Sequence, residues 1–173
     1  MKETHENEIN RARDDVGQLQ DYTRKDNIII HNLPLHLTSF AGATDGRENA
    51  SDLRADVSAL FQHILPSHEG NFGISTLHRL PLSSRSRAAY PPVVVKFYER
   101  DVKNELMYHR KTAKTFLTNG ANNKPVFLAE HLGPTTLHLL TRVKKLQDKG
   151  SIRDAWVFNN KFFNKKNDDN VRS

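Results

Sequence analysis

The side chains in this sequence whose type and spacing could do chemistry are cations, and the chemistry they suit is the capture of phosphate oxygens. Residues 74 to 117 hold nine bases against three acids, among them Arg79, Arg85, Arg87, Lys96, Arg110, Lys111 and Lys114. Such a cluster supplies phosphate contacts without base readout, the alternative being a solvated basic surface. Further along, His138, Arg142, Lys145 and Lys149 follow at spacings of four, three and four, which on a helix makes one basic stripe. Arg24 and Lys25 stand just before the first β-branched run, His31 closes that run, and Trp156 and Lys161 lie near the C-terminus. Trp156 has two readings, a ring that stacks on a base or the core of a small module.

The same inventory argues against catalysis. The chain has no cysteine, which removes disulfides, thiolate nucleophiles and Cys-rich zinc sites together. Its nine histidines are scattered, with no HxxxH or HExxH element, so no metal is expected. No Walker P-loop, GxSxG elbow or GxGxxG is present, and Gly42-Ala43-Thr44-Asp45-Gly46 lacks the Lys of a phosphate-binding loop,. Asp14-Asp15 and Asp168-Asp169 are adjacent in sequence and sit in polar termini, a poor arrangement for paired-carboxylate chemistry. The expectation is a protein that is no enzyme and carries no cofactor.

Charge points the same way. Lys plus Arg is 26 against 20 for Asp plus Glu, a net +6 with a pI near 9.6, and such a balance attracts polyanions. Residues 1 to 26 hold five bases and seven acids, whereas 134 to 173 hold nine bases and four acids, so the positive charge lies downstream. No apolar run approaches about 18 residues and the start is polar, so neither a membrane span nor a signal peptide is expected.

Several elements must position these cations. Ile9, Ala12, Val16, Leu19 and Thr23 alternate at spacings of three and four, the a/d pattern of a coiled coil. A lone amphipathic helix is the other reading, because only two heptads are present and Gly17 lies inside them. Asn27 to Leu33, closed by Pro34, reads as a buried strand, and 35 to 48 as a polar loop. Leu53, Val57, Leu60, Phe61, Ile64 and Leu65 mark a helix with Ser51 as N-cap. Ile74–Leu80 and Pro92–Tyr98 read as a hairpin joined by the flexible, basic Ser83-Ser84-Arg85-Ser86-Arg87. Asp101 caps a second helix with Val102, Leu106, Ala113, Phe116 and Leu117 inward, ending near Asn119-Gly120, and Val126-Phe127-Leu128 supplies a fourth strand. A helix from Pro134 towards Gly150 follows, with Leu139, Val143 and Leu146 as its packing face. Residues 155–158 and 161–163 then flank Asn159-Asn160 as a hairpin with a two-residue turn.

The expected fold class is α+β: a ferredoxin-like β-α-β-β-α-β domain, a small helix-plus-hairpin C-terminal domain, and an N-terminal helical segment that ends a coiled coil. The boundaries are 1–26 for the helix, 27–133 for the sheet domain, 134–163 for the C-terminal domain and 164–173 for a disordered tail.

Four segments carry a family resemblance: Leu19-Gln20-Asp21-Tyr22-Thr23-Arg24-Lys25-Asp26-Asn27-Ile28, Leu77-His78-Arg79-Leu80, Pro92-Val93-Val94-Val95-Lys96-Phe97, and Asp154 to Phe163 with Trp156 at its centre. In order and spacing the chain resembles the first open-reading-frame proteins of LINE-type retrotransposons and, more distantly, the baculovirus few-polyhedra proteins. The resemblance covers about 19 to 163. It implies an RNA-recognition-motif-like domain and a C-terminal domain that hold single-stranded RNA and DNA, with nucleic-acid chaperone activity. It also implies packaging into a ribonucleoprotein, cytoplasmic with the nucleus as a second compartment, and a homotrimer through a longer N-terminal coiled coil. This chain departs from the pattern in having only a stub of that stalk and a long first loop.

RNA-recognition motifs stack bases on aromatics of the two central strands, yet the corresponding positions here are Ile29, Pro92 and Val94. Strand alternation places Ile29, His31, Val94 and Lys96 on the open face and Ile28, Ile30, Val93, Val95 and Phe97 in the core. Two functions of different class remain: phosphate-mediated binding of single strands, and an RRM-like protein-interaction module that uses exposed Ile29 and Val94.

Overall fold

Consecutive β-branched residues favour extended backbone, and Asn27–His31 forms β1 with Ile28 and Ile30 fully buried. The computed structural model describes residues 2–35, 48–82, 84, 86, 88–116, 124–158 and 161–165. Its further elements are α1 (Lys2–Arg24), α2 (Ala50–Ile64), β2 (Ile74–Arg79), β3 (Val93–Phe97), α3 (Arg100–Tyr108), a 3-10 helix (Arg110–Thr115), β4 (Phe127–Glu130), α4 (Pro134–Asp148), β5 (Asp154–Phe158) and β6 (Lys161–Lys165). Residues 36–47 of the expected loop, Leu117, the helix end at Asn119-Gly120, the Asn159-Asn160 turn and residues 166–173 lie outside the described residues.

The four-stranded sheet has the order β2-β3-β1-β4. β3 pairs antiparallel with β1, Ile29 opposite Val94, and antiparallel with β2, His78 opposite Val94. With α2 after β1 and α3 after β3, this is the ferredoxin-like arrangement. Alternation sends Ile28, Ile30, Val93, Val95 and Phe97 into the core with Leu53, Val57, Leu60, Phe61, Leu106 and Met107. Phe61 packs at its centre, edge-on to Phe72 at 5.5 Å and stacked on Phe97 at 5.7 Å. Apolar side chains of this size contribute about 1.5–3 kcal/mol each on full burial.

Several local expectations change. Asn49, not Ser51, caps α2, its side chain accepting from Ser51 N at 3.0 Å; Asn is at least as good a cap as Ser. The N-cap of α3 is Glu99, without a side-chain cap bond, and Asp101 instead occupies the first turn, where its charge suits the helix dipole. The second helix is not continuous, because at His109 it tightens into the 3-10 segment. Lys103 is fully buried on α3, which no apolar periodicity announces. Val94, expected on the exposed face, is only 5% exposed, being flanked across both strand pairs by Ile29 and His78.

The chain divides into two compact units, residues 26–129 and residues 1–25 together with 130–173. The N-terminal helix is therefore not a separate segment from the C-terminal elements. Gly17, a helix weakener by propensity, is buried against Thr135 of α4, where an added Cβ would meet only ordinary van der Waals contacts. Asp21 accepts from Gly133 N at 2.6 Å and from the Thr136 hydroxyl, so a side chain of α1 caps α4 from outside. A Cβ at Gly133 would strike the Asp21 carboxylate. Ile9, Val16 and Leu19 each leave more than half their surface in solvent. The packing side of α4 is Thr136, Leu140, Val143 and Gln147, all half-buried, while Leu139 and Leu146 are exposed. β6 runs to Lys165, past the expected start of the tail at Asn164. Among the described residues no helix is long and apolar enough to cross a membrane.

Candidate nucleic-acid interface

In the unit of residues 26–129, the 3-10 helix presents the cations. With three residues per turn, side chains at i and i+3 eclipse, so Lys111 and Lys114 share one exposed edge while Arg110 aligns with Ala113. Ala113 is fully buried and Arg110 half-buried, whereas Lys111 and Lys114 are exposed. The segment is pinned from α2, where His63 Nε2 lies 2.9 Å from the Thr115 hydroxyl and the His63 ring meets Phe116 at 5.5 Å. Arg110, Lys111 and Lys114 line a groove of about 440 Å³ with Pro125, Phe127 and Leu128. None of the three cations carries a side-chain hydrogen bond or ion pair among the described residues.

Phe127 also belongs to a stack. His31, at the end of β1, lies on its ring at 4.5 Å between centroids and 12° between planes. Asn32 sets this geometry. Its φ of 63° turns the chain out of the strand, a conformation Asn tolerates better than most residues, and its Nδ2 donates to Pro125 O at 3.0 Å. The end of β1 is thus tied to the start of β4, holding His31 beside Phe127.

Burial of the imidazole lowers the His31 pKa from its usual 6.5, because desolvation disfavours the charged ring. Below about 6.5 the unfolded chain binds a proton that the folded chain resists, so stability falls with pH from that point down to the lower folded-state value. Above about 6.5 the effect is absent. An NMR titration should therefore place the His31 midpoint below 6.5, and His31→Phe should remove its share of the acid-side loss measured by urea unfolding.

The other residues expected at the site fall into distinct places. Lys96 is exposed opposite Asn27 and Thr76 on the open sheet face, as alternation expects. Arg79 is not available. Its Nε and Nη2 hold both oxygens of Glu48 at 2.6 and 2.9 Å, and its Nη atoms donate to the carbonyls of Leu33, Pro34 and Pro91 at 2.7–2.9 Å. A guanidinium has five N–H donors, and all five are engaged, so Arg79 leaves the phosphate-binding set. Arg85 and Arg87 lie outside the described residues.

In the other unit, His138, Arg142 and Lys145 on α4 and Lys149, its C-cap, are all exposed on the side away from the half-buried stripe. Lys161 is exposed on β6 and Arg24 half-buried on α1. The Lys25 ammonium lies 3.2 Å from the centre of the Tyr22 ring, a cation–π contact. Trp156 is not core. It is 38% exposed and stacked on Phe163 across the β5–β6 pair, at 5.8 Å and 12°.

The expected set lacked Phe127 and Phe163. Alternation along Val126-Phe127-Leu128 signals the first, since apolar neighbours turned inward leave Phe127 on the open face. The hairpin expected around Asn159-Asn160 would set Trp156 opposite Phe163 and so signals the second.

No family model matches this chain, and no curated protein matches it. Among solved structures the chain is similar to one described as the Sex-lethal RNA recognition domains 1 and 2 from Drosophila melanogaster, at 14% identity over 77% of this chain and 74% of that chain, with a TM-score of 0.35. The fold assignment rests on strand order and register.

Proposed function

We propose that this chain binds single-stranded RNA and DNA through their phosphates, without reading sequence, as a non-catalytic nucleic-acid chaperone and packaging protein of a retroelement ribonucleoprotein. The observation that carries this reading is the groove at Arg110, Lys111 and Lys114, three cations with no ion pair among the described residues, set around an exposed aromatic ring. Cations neutralised within a fold have no charge to offer a phosphate; these three do. Lys96 and the α4 stripe add exposed charge on each unit separately. The alternative, a protein-interaction module, loses its main support, because Val94 is buried and Ile29 half-buried. In this reading α1 is the end of a stalk through which copies associate, with Ile9, Val16 and Leu19 on its open side.

The test is a titration of labelled single strands of mixed sequence at two salt concentrations. Dissociation constants on the order of micromolar or tighter are expected, nearly independent of sequence, with log affinity falling by about 0.7 per neutralised phosphate for each decade of salt. Salt-insensitive affinity, or no binding at low salt, would return the chain to the protein-interaction class.

A further inference from the structure

Side chains two apart on a strand share a face. On β5 one face carries Ala155 and Val157, both only 7% exposed, and the other carries Asp154, Trp156 and Phe158. The register sets Asp154 opposite Lys165, Trp156 opposite Phe163 and Phe158 opposite Lys161. The outward face of this hairpin is therefore an aromatic pair with a lysine two residues to either side of Phe163. Trp156 and Phe163 are 38% and 40% exposed and stacked with their ring planes nearly parallel, 12° apart. Both lysines are exposed and carry no side-chain hydrogen bond or ion pair among the described residues. The nearest acid in the register, Asp154, is occupied instead by Ala155 N at 2.8 Å and by Gln147 Nε2 at 3.4 Å.

We infer that this face is a base-stacking platform that holds unpaired nucleobases on Trp156 and Phe163 while Lys161 and Lys165 take the flanking phosphates. The inference rests on the phosphate-binding reading above and adds to it a preference for strands whose bases are free. Charge complementarity selects this occupant over an apolar protein surface, since a packed apolar partner would bury both ammonium groups unpaired, which desolvation strongly disfavours. Aromatic rings stack on every base and therefore confer selectivity for unpaired over paired bases without selecting sequence. A duplex hides its base faces and offers only phosphate.

Trp156 is the only tryptophan in the chain, so its fluorescence reports this site directly. The intact chain is titrated with oligothymidylate of about 12 nucleotides and with an abasic strand of equal length, following both tryptophan emission and the anisotropy of a label on the strand. Oligothymidylate should quench the emission saturably and bind about tenfold more tightly than the abasic strand, which should leave the emission unchanged. Trp156→Phe should keep the preference for the base-bearing strand, and Trp156→Leu should lose it. Equal affinity for the two strands with unchanged emission would overturn the platform and leave phosphate binding standing. Binding of neither strand at low salt would overturn both, and the wild-type emission comparison decides the matter even if a variant fails to fold.

Discussion

Replacing Arg79 with Ala is expected to lower the unfolding free energy by about 3–5 kcal/mol, the cost of stranding one partner of a buried ion pair. Both side chains are nearly inaccessible, 11% exposed for Arg79 and 8% for Glu48. Besides Glu48, the guanidinium holds carbonyls at Leu33 and Pro34 just after β1 and at Pro91 just before β3. One side chain on β2 thus ties together the chain around three strands and the approach to α2. Arg79→Lys should recover little, because an ammonium has three donors and no planar fork. Urea unfolding should show the midpoint falling with the slope unchanged, while single strands bind the folded fraction with wild-type affinity. A variant that kept its stability and lost binding would instead put Arg79 back among the phosphate-binding cations.

That Arg79 is structural could not be read from the sequence, and the reason is physical. Its partners lie 12 to 46 residues away, and they are backbone carbonyls and a glutamate 31 residues back in the chain, which no local spacing encodes. The core of the sheet was legible for the opposite reason. A period of two along Asn27–His31 and Val93–Phe97 follows from strand geometry alone, and every residue it assigns inward is buried. Val94 shows the limit of that rule. Alternation gives the face, but the burial on that face depends on neighbours across two strand pairs.

The site was legible in composition and not in arrangement. The cluster at 110 to 114 stands out by charge, but α-helical spacing would set Lys114 beside both Arg110 and Lys111, all three on one face. The 3-10 geometry pairs Lys111 with Lys114 instead and turns Arg110 partly inward with Ala113. What tightens the segment is tertiary, the anchoring of Thr115 and Phe116 on His63. The positions that carry stacking rings in RNA-recognition motifs likewise do not include His31 and Phe127, because this chain carries its stack across β1 and the edge strand β4.

Arg110→Ala, Lys111→Ala and Lys114→Ala, combined, should weaken binding of every single strand alike. Removing three phosphate-binding cations, at about 0.7 each, lowers the slope of log affinity against log salt by roughly two units, on the order of 100-fold at ~0.1 M salt. Stability should change by about 0.5 kcal/mol or less, since the three side chains make no ion pairs among the described residues and Ala113, Thr115 and Phe116 remain to hold the segment. Lys96→Ala, a single exposed cation on the open face, should reduce the slope by about 0.7 and serves as the internal scale. A triple variant whose slope matches the wild type would remove the groove from the phosphate path, and the corresponding variant of Arg142, Lys145 and Lys149, on α4 and its C-cap, should then carry the loss. If both triple variants reduce the slope, each in proportion to the cations removed, the two units bind separate stretches of one strand through the same uniform, sequence-blind chemistry.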